Sequence, residues 1–509
     1  MDAKAALAMV NRIYARLDAR RPFLDLSQNY YRGRHNLQFA TEEWRKSNAH
    51  RYKDFSDNWC APVVDAEAER LEHIGVKIAD NDAGAKALWN QWLLNELPSQ
   101  SSQGFVSSLT SARSFVIVWG DKSTDEPLVT WEHPANVEIE YDWENPRLRT
   151  AALKTWVDES LEYATLYEPQ FVWKFQRARF MVDNPRVSQA NQAKERLSPE
   201  GGWVPREGLL EPWPLVNPMG AVPVVEIPNR PLLADDPISE IQGVMPMQNA
   251  VNLLWAYLFL AADYASMPAR VVLHQGPPMT PILDSITGKE IGKKPVDLKD
   301  LQEKRLLYLS GENTAIDSWE AARLDVFTGV IEQSVGHIAA QTRTPPHYLV
   351  SNKGLSNLSG DALQAAEGGL VNKATEFQRD AAPALREVYR LIALAMGDKA
   401  LAEQARLATI VWKNAGIRSE AQMADALLKK KQMGYPLEYL MEVDGIDPVD
   451  IDRILKMRDA ELDQTLGFGV QQAVNDQMNG GSGVDSVGDS GSTSAAEGAD
   501  PVSGATSGR

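Results

Sequence analysis

TRTPPHYLVSNKGLSNLSG (342–360), followed by DALQAAEGGLVNKATEFQRDAAPALREVYRLIALAMG (361–397), is the stretch around which this chain is organised. Leu363, Ala366, Leu370, Ala374, Phe377, Ala381, Leu385, Val388, Leu391 and Ala395 recur three or four residues apart. That spacing predicts one apolar stripe on a long helix, roughly 55 Å at 1.5 Å per residue. Gly368, Gly369 and Pro383 lie inside it, where they would cost about 1, 1 and 3 kcal/mol in an isolated helix. Such residues predict a bend or a close neighbour. The helix therefore reads as an element repeated around an axis or, alternatively, as a surface-docked helix of a helical domain. Ahead of it, Pro345-Pro346 lacks backbone donors and resists helix, Gly354 and Gly360 permit unusual dihedrals, and Ser359 can cap the long helix. Residues 344–358 are thus expected to form a mobile loop.

Beyond this stretch, 509 residues with 44% apolar content can build about two to four domains with real cores. A formal charge of −17 excludes a general nucleic-acid binder driven by phosphate neutralisation, so any DNA contact is local or weak. The single Cys60 excludes an intrachain disulfide and a multi-cysteine zinc site, and reads as a small buried apolar residue. No apolar run reaches membrane-spanning length, and the first residues alternate charge with alanine instead of building a signal core. A soluble intracellular chain is the expectation. Residues 480–509 are rich in Gly and Ser and lack aromatics, which predicts a disordered tail.

Helical spacing predicts helices over 3–20, ended by Pro22, and over 58–76 from near Pro62, with Val63, Ala66, Leu71 and Ile74 buried. A third is expected around Ala85 to Leu97. After Gly104 the period changes: SFVIVWG (114–120), LVTWEHPANVEIEYD (128–142), TAALKTWVDE (150–159), LEYATLYEP (161–169), FVWKFQR (171–177) and AVPVVEIPN (221–229) read as strands of an antiparallel sheet. Residues 183–220 read as a polar excursion. Helix is expected to resume at Asp236-Pro237 and stop at Met267-Pro268. Strands are expected at RVVL (270–273) and LLYL (306–309), then helix from Leu324 to Thr342 and a helical part over 400–466 that includes LATIVW. The fold class is α+β.

Enzymatic constellations are missing. The seven histidines are scattered without metal-ligand spacing, and ILDSITGK (282–289) lacks the first glycine of a phosphate loop. Gly467 and Gly469 fit no dinucleotide fingerprint, and there is no GxSxG elbow. No catalytic residue, metal or cofactor is expected.

YYRGRHNL (30–37), NWCAPVVDAEAERL (58–71), SFVIVWGD (114–121), EHPANVEIEYD (132–142), LYEP with FVWKF (166–175), NPMGAVPVVEIPN (217–229), the helix 248–270 and the stretch 342–380 resemble, in order, the portal proteins of tailed double-stranded DNA bacteriophages. The resemblance covers about residues 10–465. It implies a homo-oligomeric ring of about twelve subunits at one capsid vertex, with double-stranded DNA driven through it by a separate terminase. Major capsid protein, scaffold and head-tail adaptor would be its other partners, and no membrane is involved. It further implies a mixed wing over 1–235 with an antiparallel sheet, and stem helices over 236–266 and 323–343 flanking a small α/β clip (267–322). A tunnel loop (344–358), a long kinked helix (359–397), a helical crown (398–466) and a disordered tail (467–509) complete the layout. On this layout Lys353, Arg343, His347 and Asn352 are candidates to face DNA. Lys289, Lys293, Lys294 and Lys299 are candidates to dock a partner, and Gly368, Gly369, Leu363 and Leu370 to contact a neighbouring subunit. A solvated charge remains open for Lys353, as does an ordinary solvated face for the clip lysines. A head component without a channel and, more distantly, a packaging enzyme are the rival readings.

Overall fold

The first helix, α1 (Ala3–Tyr31), runs through Pro22 instead of stopping before it. Its buried side continues as Ala6, Val10, Ile13 and Leu17, then Leu24, Ser27 and Tyr30. Tertiary burial on both sides of the proline outweighs the local cost of about 3 kcal/mol. In this computed structural model the described residues are 2–34, 42, 55–120, 126–158, 161–178, 202–206, 211–266, 270–273, 279–284, 288–295, 306–309, 315–318, 323–349, 360–416, 420–446 and 450–463. They fall into two units, 1–447 and 448–509. In the second, residues 450–463 are helical. The expected tail, 467–509, lies outside the described residues, as does most of the excursion within 183–220.

In the first unit α2 (Cys60–Ala68) is shorter than the helix expected over 58–76. HIGVK instead forms β1 (His73–Lys77), because a distant segment is available to pair with it. Then come α3 (Asp82–Leu94) and α4 (Leu97–Ser111), separated by Glu96 at φ +55. The serine-rich α4 has no obvious helical signal. It buries Leu97, Ser101, Gly104, Phe105, Ser108 and Leu109 on one stripe. A Cβ on Gly104 would meet the Trp131 indole at 2.0 Å, so only glycine lets the ring lie against the helix.

The strands are β2 (Arg113–Gly120), β3 (Pro127–Glu132), β4 (Val137–Tyr141), β5 (Arg149–Asp158), β6 (Leu161–Tyr167), β7 (Phe171–Ala178), β8 (Val204–Pro205), β9 (Leu215–Val216) and β10 (Val224–Pro228). They make two antiparallel sheets where one was expected: β10-β2-β3, and β4-β5-β6-β7-β8 with β9 on β7. The split falls at His133–Asn136, where His133-Pro134 turns the chain out of the first sheet. Arginines of α1 hold the second sheet: Arg12 reaches Glu140 at 2.5 Å and Arg20 reaches Glu138 at 2.5 Å.

No helix starts at Asp236-Pro237. The Asp236 carboxylate pairs with Arg113, and Ser239 Oγ donates to the Thr110 carbonyl at 2.6 Å. The segment therefore seals the end of α4, and α5 (Met245–Ser266) begins later. Between α5 and α6 (Leu324–Gln341) the described residues hold strands alone: β11 (Arg270–Leu273), β12 (Met279–Leu283), β13 (Glu290–Pro295), β14 (Leu306–Leu309) and β15 (Ala315–Ser318). β11 pairs in parallel with β14 and antiparallel with β15, while β12 and β13 form a hairpin.

One helical turn, α7 (Pro346–Leu349), occupies part of the expected loop, since proline in a first turn needs no donor. Then α8 (Gly360–Ala395) continues unbroken across Gly368, Gly369 and Pro383. Leu370, Ala374, Phe377 and Ala381 are buried before the proline, and Leu385, Val388, Leu391 and Ile392 after it. α9 (Lys399–Ala405) comes next. LATIVW is not helical, because Thr409–Trp412 forms β16 against β1. α10 (Glu420–Gln432) and α11 (Leu437–Asp444) complete the unit. Its main core joins α2, α3, α4, β2, α5, α6 and α8, and Cys60 is fully buried there, its thiol pushed up to about 12 by burial.

Candidate functional site

The connector from α6 to α8 carries the residues that the sequence marks for function. α6 ends because Arg343 adopts φ +54, so that Thr344 N–H turns back to Ala339 O at 3.0 Å and Arg343 N–H to Ala340 O at 3.4 Å. This closure usually carries glycine at the left-handed position. An arginine there costs about 1 kcal/mol in local strain. Its side chain lies 3.4 Å from Glu376 on α8, both groups nearly half-exposed. The Arg343 carbonyl sits against Gly369, where an added Cβ would lie 3.5 Å from the oxygen. Gly369 therefore faces its own chain's turn, and a long side chain there would push on that turn first. Around Gly368 a Cβ would meet nothing within 4 Å. Leu370 is fully buried in its own chain, so of the three candidate contact residues whose surroundings are described Gly368 is the one with open space before it. Leu363's side chain lies outside the described residues.

His347 is mostly buried, with Nε2 at 3.6 Å from Glu367 Oε1. Asn352 and Lys353 lie outside the described residues, so of the expected DNA-facing set only Arg343 and His347 are located. They share the connector but point to different carboxylates of α8.

Sequence reasoning missed the buried charges around this connector. Lys373, Glu67 and Glu240 are essentially inaccessible, and Lys373 Nζ lies 2.9 Å from Glu240 Oε1, 3.1 Å from Glu67 Oε2 and 2.9 Å from the Thr342 carbonyl. Burial pushes the Glu67 carboxyl up to about 7, against the pull of Lys373 and with the help of Glu240. A second buried pair, Arg70 and Glu367, closes at 3.2 Å. The available signal was a lysine and a glutamate set on or beside the apolar stripe of α8, where a charge has to find a partner.

On the β12–β13 hairpin, Lys289, Lys293 and Lys294 are exposed, with Lys293 3.8 Å from Glu290. Lys293 and Lys294 are successive in β13 and so project to opposite faces. Lys299 lies outside the described residues. Met279, Ile282, Leu283 and Ile291 of the same hairpin are exposed apolar side chains. Among the described residues no group of His, Cys, Asp or Glu could hold a metal ion, and no helix is long and apolar enough to cross a membrane.

Residues 10–464 match the protein family described as "Phage portal protein, SPP1 Gp6-like". The portal protein of Mycobacterium phage D29 is 28% identical over 409 residues, covering 74% of this chain and 75% of that protein. The portal protein of Mycobacterium phage L5 is 27% identical over 385 residues, covering 72% and 70%.

Proposed function

Since the chain belongs to the SPP1 Gp6-like phage portal protein family, a family of structural components of the virion head, we propose that about twelve copies close into a ring at one capsid vertex and form the conduit for DNA packaging and ejection. The observation that supports this reading is the apolar surface that one chain leaves in solvent on its stem helices. Val326 and Val330 of α6 are 55% and 42% exposed, and Phe259 of α5 is also exposed. Helices patterned this way need a covering surface, and a second copy supplies it.

In this reading 344–358 faces the DNA, with Lys353 as its cation. The β12–β13 hairpin docks the terminase during packaging and a head-tail adaptor afterwards. A two-stranded hairpin is marginal alone, and exposed Ile282, Leu283 and Ile291 beside Lys289, Lys293 and Lys294 suit a partner with apolar and acidic groups. Capsid and scaffold proteins surround the ring, which assembles in the host cytoplasm. Hydrolysis of ATP belongs to the terminase, and this chain does no catalysis.

The test is the native mass of purified protein by analytical ultracentrifugation with negative-stain imaging. Rings of about twelve 56.4 kDa chains are expected. A chain that stays monomeric at every concentration overturns the proposal.

A further inference from the structure

Residues 67–70, the end of α2 and the turn that follows it, face the first half of α8 with charges in opposite order. Glu67 meets Lys373 at 3.1 Å, and Arg70 meets Glu367 at 3.2 Å. Each pair also grips the connector 342–349. The Lys373 ammonium, with three protons, meets Glu67, Glu240 and the Thr342 carbonyl that ends α6. The Arg70 guanidinium reaches Tyr348 Oη at 3.0 Å and the Ala415 carbonyl at 2.6 Å. Tyr348 Oη lies 3.5 Å from Glu367 Oε1, and His347 approaches the same oxygen. Arg230, partly exposed, stands 3.8 Å from Glu240 Oε2.

Buried ion pairs add little net stability over an apolar packing of the same volume, but breaking one leaves an unpaired charge in a dry site. What two pairs in opposite order do impose is register. Sliding α2 along α8 sets Glu67 toward Glu367 or Arg70 toward Lys373, like charges without water between them. We propose that the end of α2 and α8 form a charged clamp on residues 342–349, which fixes where the chain leaves Leu349 and transmits any shift of α2 to both ends of that connector. The consequence for DNA rests on reading 344–358 as the DNA-facing loop; the clamp itself does not.

Hydrogen exchange on the full-length protein tests it. Tyr348→Phe keeps the packing and removes the hydroxyl between Arg70 and Glu367, so exchange over 346–349 is expected to rise about tenfold, with 342–344 unchanged. Lys373→Met is expected to act on 342–344 instead. Arg70→Gln, which acts from the α2 side, is expected to loosen both 346–349 and 413–416. In all three the sheet β4–β7 keeps its wild-type protection. Unchanged exchange over 342–349 in the folded variants overturns the clamp. Equal acceleration everywhere also overturns it, since the charges then only support general stability. If Lys373→Met fails to fold, Tyr348→Phe decides. Local loosening in Tyr348→Phe with wild-type DNA retention in the corresponding phage upholds the clamp and removes the DNA-facing role of the loop.

Discussion

His73 sits on β1 inside a ring of aromatics, Trp89, Trp92, Tyr389 and Trp412, with Nε2 2.7 Å from Tyr389 Oη and Nδ1 3.0 Å from the Val411 carbonyl. Complete burial pushes its pKa down to about 4 from the ordinary 6.5. The folded protein thus refuses a proton that the unfolded chain accepts. The contribution of His73 is full above pH 6.5 and is lost as pH falls toward 4, by on the order of 3 kcal/mol. Glu67 has the opposite sign: its pKa is raised from 4.5 to about 7, so its contribution is full below pH 4.5 and is lost as pH rises through 7. Between pH 4.5 and 6.5 the two slopes oppose each other and flatten the wild-type profile. Replacing one group should expose the other. In denaturant unfolding, Glu67→Gln minus wild type is expected to grow more favourable to the variant as pH rises from 4.5 to 7. His73→Gln minus wild type should instead grow less favourable to the variant as pH rises from 4 to 6.5. Parallel profiles for a variant and the wild type would rule out the role given to that residue.

Among the helices and strands, what could be read in the sequence was what local pattern decides. The stripe of α8 gave its extent, since its apolar positions continue on both sides of Gly368, Gly369 and Pro383. Strands β2 and β5–β7 were legible because β-branched and aromatic residues cluster between turn formers. The failures are places where a distant partner overrides local preference. Pro22 did not end α1, β1 exists because β16 pairs with it, and α4 forms around a glycine that only Trp131 explains. The site divides the same way. The connector that carries Arg343 and His347 was marked by its local sequence, while the partners of Lys373 come from segments far away in sequence and could not be assigned. Helix α6 offers a prediction of its own. Val326 and Val330 lie on the part of α6 that its own chain leaves open, whereas Ile331, Val335 and Ile338 are buried. Val326→Asp with Val330→Asp should leave the subunit's circular dichroism and thermal midpoint close to wild type, as exposed substitutions cost little. Ring formation should fail, because closure would desolvate two carboxylates per interface. Normal rings from this double variant would remove α6 from the interface.

For the assembled protein, the decisive quantity is charge. Each chain carries a formal −17, so a ring of such chains repels the phosphates of DNA over most of its surface, and any attraction has to be local. The cation of the described connector has a carboxylate near it, since Arg343 faces Glu376. Within 350–359 the sequence supplies one charged residue, Lys353. About twelve copies would present one positive charge each at the level of the loop, a symmetric ring of weak contacts. Exposed charges are screened within about 8 Å at physiological salt, so on that proposal each contact would form and break easily and would guide or hold DNA without gripping it. Lys353→Glu would reverse that charge and changes no residue of the clamp or of helices α5 and α6. The variant is expected to fold and assemble as wild type, to package or retain less DNA, and to show its largest deficit at low ionic strength, where screening is weakest. DNA content of variant phage measured across a range of salt checks this. Wild-type content at every ionic strength would take the DNA contact away from Lys353 while leaving the ring and its place at the capsid vertex as they stand.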